Sequence, residues 1–137
     1  MLPLIHFITS LIFTALLYPI FGFNSLWIMV GGFLIDFDHY LYSIFTRKDY
    51  SLKNSYLFHK NREFSKYKNE ETLHVFHTVE FWILLAVGAI LFRFVFLVML
   101  GVLLHITLDF YDLYIRRKYY HSRAISVIRW LKRHNHL

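Results

Sequence analysis

The chain has no cysteine, which excludes disulfides, iron–sulfur clusters and thiolate-bound metals. Proline is nearly absent, with two residues in 137, and acidic side chains are outnumbered nine to fifteen by lysine and arginine. Internal repeats and low-complexity segments are also missing. The opening stretch MLPLIHFITSLIFTALLYPIFG carries neither a basic leader nor a small-residue cleavage site. It therefore reads as a retained span, not as a removed signal.

What the chain has in excess is apolar bulk. Hydrophobic residues make up 57% and aromatics 20%, with a mean hydropathy of +0.42. A water-soluble domain of this size has too little interior to hide so many Phe, Leu, Ile and Tyr side chains. The expectation is a single integral membrane domain over residues 1–137. A spanning helix needs about 20 mostly apolar residues, and four stretches fit: 2–21, 26–45, 72–91 and 94–114. The predicted architecture is all-α: a polytopic membrane four-helix bundle with a polar central loop at 46–71 and an interfacial tail at 115–137.

Threading these spans puts both termini, the central loop and the tail on one side. Every lysine and arginine except Arg93 falls on that side. Positive residues near spans favour the cytoplasm, so loop, tail and both termini are expected to be cytoplasmic and the protein integral to the plasma (inner) membrane. Within the tail, SRAISVIRWLKR sets Ala124, Val127, Ile128 and Leu131 apart from Arg123, Arg129, Lys132 and Arg133. That pattern predicts an amphipathic helix on an anionic leaflet. The net charge of +6 thereby goes to lipid headgroups, and no basic surface interleaved with aromatics points to nucleic acid.

The ionisable residues inside the spans are few, and charge there is costly. They are His6; Asp36, Asp38 and His39; His74, His77 and Glu80; and His105, Asp109 and Asp112. All fall in the cytoplasmic half, which argues against an ion conduit polar through both leaflets. At about 100° per residue, His105, Asp109 and Asp112 share a stripe within about 60° of arc. His74, His77 and Glu80 cover about 120°, and Asp38 points about 160° away from Asp36 if that helix is regular. Asp38 then either reaches a neighbouring helix or sits where its own helix loosens. Imidazoles mixed with carboxylates suit zinc, manganese or iron, as one or two ions. Predicted metal ligands are His6, Asp36, Asp38, His39, His74, His77, His105 and Asp109, with Glu80 or Asp112 as general base. The simpler alternatives are interhelical polar contacts for the Asp–His motifs, a lysine pair for Glu80 and an interfacial hydrogen bond for His6. His59, His121, His134 and His136 stand in basic, polar surroundings and read as solvated.

The motifs IDFDH (Asp36, Asp38, His39), HVFHTVE (His74, His77, Glu80) and HITLD (His105, Asp109), after an early His6, resemble the family of small membrane-bound predicted metal-dependent hydrolases. Ile35 stands where that family has proline, and the family's His-Arg-Gly-x-Thr-His form is absent, so His77 carries the correspondence better than His74. The resemblance implies a divalent-metal hydrolase, and the depth of the site suits an ester or phosphoester of a lipid-like substrate at the cytoplasmic leaflet. Anionic headgroups are the expected partners of the basic loop and tail. The rivals are a non-haem iron oxidoreductase and a non-enzymatic membrane anchor. The histidine boxes of membrane desaturases and the Asp-Gly…Asp-x₃-Asp signature of phosphatidyl-alcohol transferases are both missing.

Overall fold

The computed structural model describes residues 3–61, 71–116 and 123–134. The expectations resting on Arg62, Lys66, Lys68, Arg117, Lys118, His121 and His136 lie outside the described residues. Among the described residues the regular elements are all helical. Two stretches, Pro3–Phe45 and Arg93–Phe110, are long and apolar enough to cross a membrane. The chain forms two compact units, one from Met1–Asp36 with Ile83–Lys118 and another from Phe37–Trp82 with Tyr119–Leu137.

The first unit begins with α1 (Pro3–Phe21), whose length of about 28 Å approaches the hydrocarbon thickness of a bilayer. Gly22 ends it at φ +55°, a left-handed conformation that glycine adopts without a Cβ penalty. A 3₁₀ turn, Gly22–Leu26, then leads into α2 (Trp27–Gly32), which folds back so that Gly32 lies against Ser10. The inward side of α1 is polar: His6, Ser10 and Thr14, at i, i+4 and i+8, are buried. Leu4, Ile12, Leu16 and Ile20 on the same helix are each more than half exposed. This is the reverse of a helix built for water.

Helix α2 packs most extensively on α6 (Arg93–Phe110). A Cβ on Gly31 would lie 2.0 Å from the Val98 carbonyl oxygen, and one on Gly101 would lie 2.1 Å from that of Ile28. The two backbones touch, and only glycine permits it. α6 buries Leu97, Gly101, Val102, His105 and Asp109 as one stripe, then widens into a π turn at Tyr111–Arg116.

Three expected spans have different bounds. The stretch 26–45 is broken at Phe33 (φ −123°, ψ −47°) and passes through a 3₁₀ turn, Leu34–Asp36, before α3 (Phe37–Phe45). The stretch 72–91 becomes helical only at Val79, as α5 (Val79–Leu91). Residues 94–114 divide into α6 and the π turn.

In the second unit the polar loop contains a helix, α4 (Leu52–Asn61). Ser51 caps it by accepting the Asn54 N–H at 3.3 Å, and Asp49 accepts the Ser51 N–H at 2.9 Å. α4 is pinned to α3 by a buried hydrogen bond of 2.8 Å between Ser43 Oγ and Ser55 Oγ. The tail helix α7 spans Val127–His134. Ala124 is not on its apolar face as expected: it is buried ahead of the helix, its N–H donating to the Thr72 carbonyl at 3.0 Å.

Candidate metal centre

In the first unit His6, Asp36, His105 and Asp109 converge. The break after Gly32 leaves that residue's carbonyl without a continuing helix, and His105 Nδ1–H donates to it at 3.0 Å. A carbonyl can only accept, so a proton sits on Nδ1, and Nε2 faces the carboxylates. Nε2 lies 3.3 Å from Asp36 Oδ1 and 3.9 Å from Asp109 Oδ2. His6 Nε2 lies 3.3 Å from Asp109 Oδ1, and the His6 and His105 rings stack with centroids 3.9 Å apart. One ligand atom each from His6, His105 and Asp109 falls within 4.8 Å of the other two. Both histidines are fully buried, whereas Asp36 keeps 23% side-chain exposure and forms the open rim.

A lone pair aimed at two carboxylate oxygens is repulsive unless positive charge lies between them. A proton on Nε2 satisfies one contact, whereas a divalent cation satisfies both imidazoles and the Asp109 carboxylate together, with Asp36 beside His105 at the rim. The donor set, two nitrogens and two carboxylates without sulfur, fits zinc, manganese or iron. The ring is held by a hydrogen bond on its other nitrogen, as metal-ligating histidines are. Asp112 is also buried in this unit, at the start of the π turn.

In the second unit Asp38 is the hub. Its Oδ1 accepts from His39 Nδ1–H at 2.8 Å and lies 3.8 Å from His74 Nδ1. Its Oδ2 accepts from His77 Nδ1–H at 3.0 Å and from the Phe76 N–H at 3.2 Å. The two options for Asp38 are therefore both realised: its helix is interrupted just upstream, and its side chain reaches another segment. His74 and His77 do not share a helical face with Glu80 as expected, because they lie in an extended segment and a 3₁₀ turn, Val75–His77, ahead of α5. Burial pushes the imidazoles of His74 and His77 below their ordinary pKa, against the pull of Asp38 in the case of His77, so both are neutral donors.

His59 is half-buried, not fully solvated as its neighbours in sequence suggest. Its Nε2–H donates to the His39 carbonyl at 3.2 Å, and one ring nitrogen each from His39, His59 and His74 lies within 4.8 Å of the other two. The available signal was Ser55 four residues earlier, a second small polar side chain on the same face of α4. His134 is exposed, as expected, and stacks on Trp130.

Glu80 caps α7. Its carboxylate accepts from Ser126 Oγ–H, from the Val127 N–H at 3.1 Å and from the Ile128 N–H at 3.3 Å. This places a negative charge at the positive end of the helix. Among the described residues no three-ligand group contains Glu80 or Asp112. No protein-family model, no curated protein and no solved structure matches this chain.

Proposed function

We propose that the chain is a membrane-embedded, metal-dependent hydrolase that cleaves an ester or phosphoester in a lipid-like substrate at the cytoplasmic leaflet of the plasma membrane. The observation that carries this reading is the convergence of His6, Asp36, His105 and Asp109, with the His105 tautomer set by the Gly32 carbonyl. These four residues would hold the cation. When bound, a divalent ion there acidifies water to a pKa of about 7 and polarises a carbonyl or phosphoryl oxygen.

The protein's own contributions follow from the packing. Close contact of α2 with α6 fixes the two ligand-bearing segments against each other, so the donors are oriented before substrate arrives. Asp36, at the rim, faces the approach. Asp112, buried in the same unit, is the proposed general base that takes the proton from attacking water. Glu80, occupied at the start of α7, is left out of the chemistry.

Supporting the membrane setting are the two apolar stretches and the outward apolar side chains of α1, together with the one-sided distribution of basic residues expected from the sequence. In this setting α5 adds a third, shorter apolar crossing and α7 rests on anionic headgroups. The resemblance of the IDFDH and HITLD motifs to membrane metal-dependent hydrolases points the same way.

The test is hydrolysis of a panel of carboxylic esters and phosphoesters in mixed micelles by detergent-purified protein. Activity should disappear after chelation and return with zinc or manganese. Absence of hydrolysis in every metal state would overturn the reading, and oxygen consumption restored by iron alone would favour an oxidoreductase.

A further inference from the structure

We propose that the second unit carries a cation site of its own, formed by the imidazoles of His39, His59 and His74 and oriented by Asp38, and that it takes a borderline divalent ion such as zinc. The proposed catalytic cluster of His6, Asp36, His105 and Asp109 contains none of these side chains, so this inference goes beyond it.

Three separate segments supply the donors: α3 gives His39, α4 gives His59, and the extended segment before α5 gives His74. One ring nitrogen of each already lies within 4.8 Å of one from the other two. Donors around a tetrahedral zinc stand about 3.4 Å apart, given Zn–N of about 2.1 Å, so modest inward rotation completes the set. The rings are not held by chance packing. His39 Nδ1–H is committed to Asp38 Oδ1, which leaves Nε2 as that ring's lone pair. His59 Nε2–H is committed to the His39 carbonyl, which leaves Nδ1 as its lone pair. Ser55 Oγ reaches the same carbonyl at 3.3 Å while bound to Ser43, fixing the register of α4 over α3. His39 and His74 stack with centroids 4.0 Å apart, which holds the two ring planes nearly parallel. Carboxylate–histidine pairs of the Asp38–His39 kind are the usual outer support of a ligating imidazole.

The chemistry of the donors selects the ion. Three imidazoles without oxygen or sulfur favour zinc, cobalt, nickel or copper over magnesium, calcium or manganese. Four-coordinate zinc with three histidines keeps one position for water or another ligand. Because the donors come from three segments, the ion would tie α3, α4 and the segment before α5 together, and its binding energy would add to the stability of this unit.

The experiment counts metal in the full-length protein, stripped by chelation, reloaded with zinc and freed of excess by gel filtration. Wild type should carry two equivalents, His59→Gln one and His105→Ala one. Undiminished zinc in His59→Gln would overturn the site. If wild type carries one equivalent that His59→Gln loses and His105→Ala keeps, this site stands and the hydrolase centre falls; the opposite pattern rejects this site alone. Should His59→Gln fail to elute as wild type does, the wild-type protein decides. Zinc should block acylation of His59 by diethyl pyrocarbonate while leaving the exposed His134 reactive, and equal modification of His59 with and without zinc overturns the proposal.

Discussion

Gly101→Val should cost the protein both its thermal stability and its metal. At position 101 even a Cβ would lie 2.1 Å from the Ile28 carbonyl oxygen and 2.7 Å from the Gly32 nitrogen. Both are backbone atoms, and neither can swing aside as a side-chain tip would. Overpacking of a core typically costs about 1–3 kcal/mol, and a branched side chain between two touching backbones belongs at or above the upper end. A loss of that size lowers the melting temperature by on the order of 10 °C. The substitution also pushes Gly32 away from His105, removing the hydrogen bond that aims Nε2 at the carboxylates. Metal retention should fall with stability. Gly88→Ala makes the contrast: its Cβ would meet only side-chain atoms of Val95, the nearest being Cγ1 at 3.0 Å, so the change should be small. Thermal unfolding in detergent with parallel metal analysis checks both, and a Gly101→Val protein with wild-type melting and metal content would refute the α2–α6 contact.

His105→Ala should reduce hydrolysis to the level of chelated wild type. Changes to the outer hydrogen-bond partners of a metal ligand cost roughly 10–100-fold in affinity or activity, and loss of the ligand itself should exceed that. His105→Asn separates ligation from packing, because its amide can still donate to the Gly32 carbonyl while offering nothing in place of Nε2. The expected result is a melting temperature near wild type with the metal gone. His134→Gln, at an exposed histidine, should leave rate and metal content unchanged. Equal turnover in His105→Asn and wild type would remove His105 from the site.

The sequence was most readable where helices are regular. α6 runs unbroken through His105 and Asp109, so that pair could be drawn as one stripe at 3.6 residues per turn and is found on a buried face. It was least readable where apolar composition hid a change of backbone. The break at Phe33 and the late start of α5 at Val79 follow from tertiary contacts, since apolar length alone does not say whether a segment stays helical. Those irregularities shape the chemistry: one frees the Gly32 carbonyl for His105, and the other lets His77 meet Asp38. His59 was hidden by its neighbours, because Lys60 and Asn61 signal solvent while the inward face of α4 is set by Ser55. Glu80 illustrates the opposite hazard. An acid at the start of an apolar stretch suggests chemistry, and here its partner is the amino end of another helix, distant in sequence. The glycine contact between α2 and α6 carries no local signal either, since each glycine is explained only by the backbone opposite.

X-ray absorption at the zinc edge of purified His59→Gln protein tests the central assignment most directly, because the three-imidazole group of the second unit is then broken while His6, Asp36, His105 and Asp109 are intact. The predicted shell contains nitrogen and oxygen at about 2.0–2.2 Å with imidazole scattering and no sulfur. Protein that elutes intact without zinc, or zinc in a shell lacking imidazole, would contradict it.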